Sequence, residues 1–221
     1  MATEPAGGPR IRDGVRAALP LAPSPILFGL SYGVLADATG FGGAAAVVMS
    51  ATTFGGASQF AAVSVLDAGG TVAAAILAAV FLNARYVAIS ATVASIFPGG
   101  RLRRLVESQS IVDESWALSG RRGSFEWPIL VGSGLVFYAL WVGSTAAGTL
   151  IGGVLGDPNA LGLDAAFAAL FLALAVPYLR EPRARQAAAL AAVITLVLTP
   201  VAPAGVPIIA ASAACLLGLR R

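Results

Sequence analysis

The chain has no histidine, one cysteine and no lysine; all 14 of its basic residues are arginine. Without histidine, the commonest general base and the commonest zinc ligand are both missing. A single cysteine, Cys215, excludes an intrachain disulfide and a Cys-rich metal site. It lies in an apolar run and reads as a small buried residue. No metal or cofactor is expected. Ser58 could serve as a nucleophile, but no His or Lys exists to activate it, so the chain is not expected to be an enzyme. Charge is scarce as well: 11% of residues are charged, against about 25% in soluble domains.

Hydrophobic residues make up 57% of the 221 positions, and the mean hydropathy is +0.84. This composition predicts an all-α integral membrane protein embedded in the lipid bilayer. The basic residues are scattered between apolar runs, which suits membrane orientation and not nucleic acid. Residues 1–17 form a polar cytoplasmic tail with Arg10, Arg12 and Arg16 and a short interfacial end, and residues 18–221 form a single transmembrane domain. The first span covers 18–37, with Pro20, Pro23 and Pro25 at its start, where missing donors cost least. The run continues well past signal-peptide length and reads as a retained span. Further apolar runs cover 42–66, 71–97, 127–151, 163–179, 186–201 and 204–219. Between the third and fourth runs lies the longest polar stretch, a cytoplasmic loop at 98–127, in which Leu102–Leu118 could form a helix at the interface.

Arginines cluster in the tail, in the 101–122 loop, in the 180–185 loop and at the C-terminus. The positive-inside rule puts all four clusters, and both termini, on the cytoplasmic side. Residues 18–97 then need an even number of crossings, yet three apolar runs are present. One run must fail to cross, and 42–66, interrupted by Gly55-Gly56, is the best candidate. The expected architecture is about six full helices plus a re-entrant or broken helical hairpin near 42–66. Seven plain spans, with the loop outside, are the competing arrangement.

Arg85 is the one arginine that this orientation rule does not use. It sits near the middle of the 71–97 run, where a charge costs at least ~2.5–3.5 kcal/mol on insertion scales. In the re-entrant arrangement the tip Phe54-Gly55-Gly56-Ala57-Ser58-Gln59-Phe60 reaches similar depth. A half-helix beginning there points unpaired N–H groups and a positive dipole end at an anion. The glycines let backbone approach a ligand. Broken helices with polar residues at mid-depth point to a transporter site. The candidate substrate-binding set is therefore Arg85, Asn83, Gln59, Ser58, Gly55 and Gly56. Plainer roles stand beside it: Arg85 as a structural ion pair, Gln59 and Asn83 as interhelical hydrogen-bond partners, and the glycines as close-packing sites. Without histidine, proton coupling or gating must use carboxylates, with Asp164, Asp113 and Glu114 as candidates. Asp164 also suits a plain helix N-terminal acid.

Four segments in order resemble the AzlC family, the large subunits of branched-chain amino acid exporters. They are Phe54-Gly55-Gly56-Ala57-Ser58-Gln59-Phe60, Leu82-Asn83-Ala84-Arg85-Tyr86, Ile111-Val112-Asp113-Glu114-Ser115-Trp116 and Leu163-Asp164-Ala165-Ala166-Phe167. The resemblance spans roughly residues 15–219. It implies export of branched-chain or similar small apolar amino acids across the bacterial inner membrane, with a separate small AzlD-type membrane subunit as partner. Homo-oligomerisation stays open. A proton-driven exporter is the first reading; an uncoupled channel or facilitator and a structural assembly subunit are the alternatives.

Overall fold

The computed structural model describes residues 8–67, 69–121, 124–155, 172, 176, 178–202 and 206–214, and the described chain is predominantly helical. It divides into two compact units, Met1–Gly56 with Asn83–Val154, and Ala57–Leu82 with Leu155–Arg221. The expected span at 163–179, and Asp164 with it, lies almost wholly outside the described residues.

The first unit is laid along one long helix, α9 (Trp127–Leu155). Its 29 residues give a rod of about 43 Å. Its small residues receive the neighbouring chain backbone to backbone. The N-terminal helix α1 (Ile11–Ala18) places Gly14 against the Pro128–Ile129 backbone, and its Ile11 carbonyl lies where a Cβ on Gly132 would stand. Helix α2 (Pro23–Ala38) meets α9 through Gly29 and Gly33, which face Ser144, Thr145 and Gly148. A stripe of small residues four apart on each helix is what close packing in lipid needs, because no hydrophobic force drives helices together there. Helix α3 (Gly43–Thr53) joins this pair: Ser50 shares a 2.9 Å hydrogen bond with Thr145, and the Tyr32 hydroxyl donates to the Met49 sulfur at 3.4 Å.

Near the start of the chain α1 begins at Ile11, and the run Ile11–Leu21 is bent from α2 by 65°. Pro20, Pro23 and Pro25 cause the bend: each lacks a donor, and Pro23 opens α2 at the position where none is needed. At its other end α2 stops at Thr39 and Gly40, with Gly40 left-handed at φ 73°.

The polar stretch after residue 98 is also not one interfacial helix. It folds as α7 (Arg101–Ser108) and α8 (Asp113–Ser119), followed by a short antiparallel pair, β1 (Gly120–Arg121) with β2 (Ser124–Phe125). The Ser115 hydroxyl donates to the Ser110 carbonyl at 2.6 Å and accepts from the Val112 amide at 3.0 Å, fixing the link between the helices. Ser110, Ile111 and Val112 of that link are buried and reach inward. The Ser110 carbonyl abuts Gly134, seven residues into α9, or about 10 Å along its axis. Ile111 joins Val93, Phe97, Leu130 and Val131 in a buried apolar cluster beneath Trp116 and Trp127. Outside it, Glu107 holds Arg103 at 2.6 Å and the Trp127 indole at 2.8 Å.

In chain order α4 (Gly56–Asp67), α5 (Val72–Asn83) and α6 (Arg85–Val93) come between α3 and α7. The second unit holds most of α4 and α5, together with α10 (Pro182–Leu198) and α11 (Val206–Ser212), which pack on each other. Ser58, Gln59, Val63, Ala75 and Ala78 are buried, while Val72, Ile76, Leu77, Val80 and Phe81 face outward, as a lipid-facing stripe would. Among the described residues two helical runs are long and apolar enough to cross a membrane, Val72–Ile96 and Trp127–Gly152. Counting the bent pair Ile11–Leu21 with Pro23–Ala38 gives up to three.

Candidate functional site

Two helix breaks lie in the first unit. The first is at Phe54-Gly55. Helix α3 ends at Thr53, Phe54 takes a left-handed backbone at φ 41°, and α4 starts at Gly56. The left-handed state costs roughly 1–2 kcal/mol for a residue with a Cβ. A helix end also leaves carbonyls without intrahelical partners, which is expensive away from water. Two are met by side chains: the Tyr138 hydroxyl donates to the Ala51 carbonyl at 2.9 Å, and the Gln109 amide donates to the Thr52 carbonyl at 3.4 Å. The Tyr138 ring also stands edge-on to Phe54, 5.1 Å between centroids. Gly56 is small for a different reason than ligand approach, because a Cβ there would sit 2.7 Å from the Trp141 ring.

The second break is at Ala84. Helix α5 ends at Asn83 and α6 starts at Arg85, yet Ala84 keeps right-handed torsions of −56° and −25°. The turn tightens locally, with the Val87 amide donating to the Ala84 carbonyl at 3.1 Å. Arg85, near the middle of Val72–Ile96, is answered from α8: its Nη2 lies 2.8 Å from Asp113 Oδ2. The Tyr86 hydroxyl donates to the same oxygen at 3.4 Å, and the Arg85 guanidinium sits 5.0 Å from the Tyr86 ring centroid. Both ionic side chains are about 30% exposed (31% and 30%). The pair is therefore only partly buried.

A cavity of about 250 Å³ opens between the two breaks. Thr53 and Phe54 come from the first break, Asn83, Tyr86 and Ser90 from the second, and Ser108, Gln109 and Ile111 from the inward-reaching link. Among the described residues, the Asn83 Oδ1 is buried with no hydrogen-bond partner. A buried acceptor left unmet costs about 1–3 kcal/mol, so this oxygen is prepared for a donor. Beside Asp113, Glu114 is half-buried. Burial pushes its carboxyl up from the ordinary range, the Asp113 charge adds to this, and its backbone hydrogen bond and Arg85 oppose it.

Asn83 lines the cavity, and Arg85 stands behind Tyr86 on Asp113. Gly55 is buried at the first break, Gly56 packs on Trp141, and Ser58 and Gln59 are fully buried at the start of α4. Asp113, a candidate for proton coupling or gating, meets Arg85, whereas Arg103 of the loop takes Glu107. Tyr86, Tyr138, Ser90, Ser108 and Gln109 escaped the sequence reading. Tyr86 alone had a local signal, since it follows Arg85 directly.

The AzlC protein family model matches residues 20–155 of this chain. An uncharacterized membrane protein of Archaeoglobus fulgidus is 32% identical over 179 residues, which covers 80% of this chain and 79% of that protein. No solved structure matches.

Proposed function

The chain belongs to the AzlC family, and we propose that it is the large subunit of a secondary transporter exporting small apolar amino acids across the cell membrane. In this reading the substrates are of the branched-chain type, a small AzlD-type membrane subunit is the partner, and the proton gradient drives export. The observation that carries the reading is the cavity between the two helix breaks. Its volume of about 250 Å³ lies below the usual ~300–1,000 Å³ of small-molecule sites, a scale for one amino acid. Hydroxyls and amides line most of it, and Phe54 and Ile111 supply an apolar end.

The chemistry follows from the groups present. A substrate ammonium donates to the buried Asn83 Oδ1. A substrate carboxylate takes the place of Asp113 on Arg85, whose planar fork suits carboxylates. Ser58 and Gln59, with the backbone at Gly55 and Gly56, offer polar groups at the first break as the substrate passes. Asp113, Glu114 and Asp164 are the coupling candidates. An inward proton gradient drives export only by antiport, so in this reading a proton and the substrate occupy the carrier in turn.

The test is efflux from proteoliposomes holding both subunits, preloaded with labelled leucine, isoleucine or valine. Efflux that rises with an imposed proton gradient and falls on adding a protonophore supports the reading. Equal flux with and without the gradient replaces it with a facilitator, and no flux of any amino acid refutes it. The tight Arg85–Asp113 pair also favours a second reading, in which Arg85 holds the subunit together for assembly. Arg85→Ala that still co-purifies with the partner but carries no flux decides for the transport site; loss of the partner decides for assembly.

A further inference from the structure

We propose that Phe54 is the specificity-determining residue of this cavity: a fixed stop that sets how large an aliphatic group the cavity accepts. The proposal rests on the cavity being the substrate site. Of the cavity wall, Thr53, Asn83, Tyr86, Ser90, Ser108 and Gln109 carry polar groups, and Phe54 and Ile111 are the apolar members. An apolar side chain therefore settles against Phe54 and Ile111, where it displaces water without orphaning a hydrogen bond.

Phe54 is held unusually hard. A bulky residue at φ 41° is a genuine outlier in a position that glycine fills readily. Strain of this kind persists when the surroundings over-determine it, and it gathers at functional sites. Here one residue supplies the constraint twice. The Tyr138 ring stands at 79° to the Phe54 ring, and the Tyr138 hydroxyl binds the Ala51 carbonyl three residues earlier. Backbone and ring are pinned together, and Phe54 itself is 7% exposed. A ring that cannot swing aside excludes by size; a mobile methionine or leucine would adapt instead.

The experiment reads cavity size without relying on transport. In a Cys215→Ser background, Ser90→Cys places a thiol in the cavity wall. Its labelling rates are compared for methyl, isobutyl and benzyl methanethiosulfonates, with Phe54 or with Phe54→Gly, Phe54→Leu or Phe54→Trp. With Phe54 the rate is expected to fall at least tenfold from methyl to benzyl. Phe54→Gly is expected to abolish most of that fall, and Phe54→Trp to move the cut-off down to isobutyl. Normalising to the methyl reagent removes any general loosening, and the Leu and Trp variants keep the test decisive where the Gly variant does not fold. An unchanged size dependence in all variants overturns the proposal. In parallel, Phe54→Gly is expected to raise phenylalanine efflux relative to leucine at least fivefold. A labelling shift without amino acid efflux by the parent protein keeps the stop and removes the transport reading; efflux without a labelling shift does the reverse.

Discussion

At Phe54 the chain leaves the helix because one backbone torsion is left-handed; at Ala84 no torsion leaves the helical region, and the hydrogen-bond ladder alone is interrupted. The first break is closed by neutral side-chain caps, Tyr138 and Gln109, and its geometry is rigid. The second is tied by charge, Arg85 on Asp113, and leaves one acceptor of Asn83 unmet. Backbone strain gives a wall of fixed shape. An ion pair gives a joint that a competing ion or a proton can undo. Here both kinds border one cavity.

The largest effect should come from undoing the charged joint. Arg85→Gln and Asp113→Asn are each expected to lower efflux at least tenfold, and Arg85→Lys to lose most transport while the protein still inserts. A double-mutant cycle on detergent stability should give a coupling of about 0.5–3 kcal/mol, the range for contacting residues. Additive single effects would show that the two breaks do not differ in this way. Next in size is Gly56→Val, which forces a methyl group into Trp141 at the rigid break. Overpacking of this kind costs ~1–3 kcal/mol, and it should lower the melting temperature while the substrate preference among folded molecules stays constant.

A smaller effect is expected from Tyr138→Phe, which keeps the ring against Phe54 and removes the donor to Ala51. One hydrogen bond is worth about 0.5–1.5 kcal/mol, measured as a shift in thermal midpoint. The smallest concerns pH. Burial raises the Glu114 carboxyl in the folded protein. The folded state therefore binds this proton more tightly than the unfolded state. Its stabilising contribution is complete below the unfolded value of about 4.3 and is lost as pH rises through the higher folded value. Glu114→Gln should flatten that falling limb in a series of melting curves. A limb of unchanged slope would assign it to other groups.

Several of these features were legible in the residues. The long helix from Trp127 shows as an unbroken apolar run behind an interfacial aromatic, and α9 starts at that residue. The interruption near Gly55-Gly56 was visible too, though glycine misdirected the detail: the left-handed residue is Phe54, and Gly56 is small because of Trp141. Arg85 stood out by its cost. Its partner did not, because Asp113 is 28 residues away in a stretch that looks like any charged loop. Only packing reveals that the 109–112 link enters beside Gly134. The same holds for Tyr138 and Ser108, whose roles depend on which helix face meets the break. A single sequence marks a buried charge by its expense, but it cannot mark the distant group that answers it.

The spacing of Arg85 and Asp113 also has a meaning in time. During synthesis Arg85 emerges 28 residues before its counter-ion, an interval of roughly 1–6 s at ordinary elongation rates of about 5–20 residues per second. For that interval the nascent span Val72–Ile96 presents an unanswered guanidinium to the insertion machinery. The link beside Gly134 can settle only after α9 has been made as well. Asp113→Asn should therefore leave early insertion of this span untouched and act later, on its release into lipid.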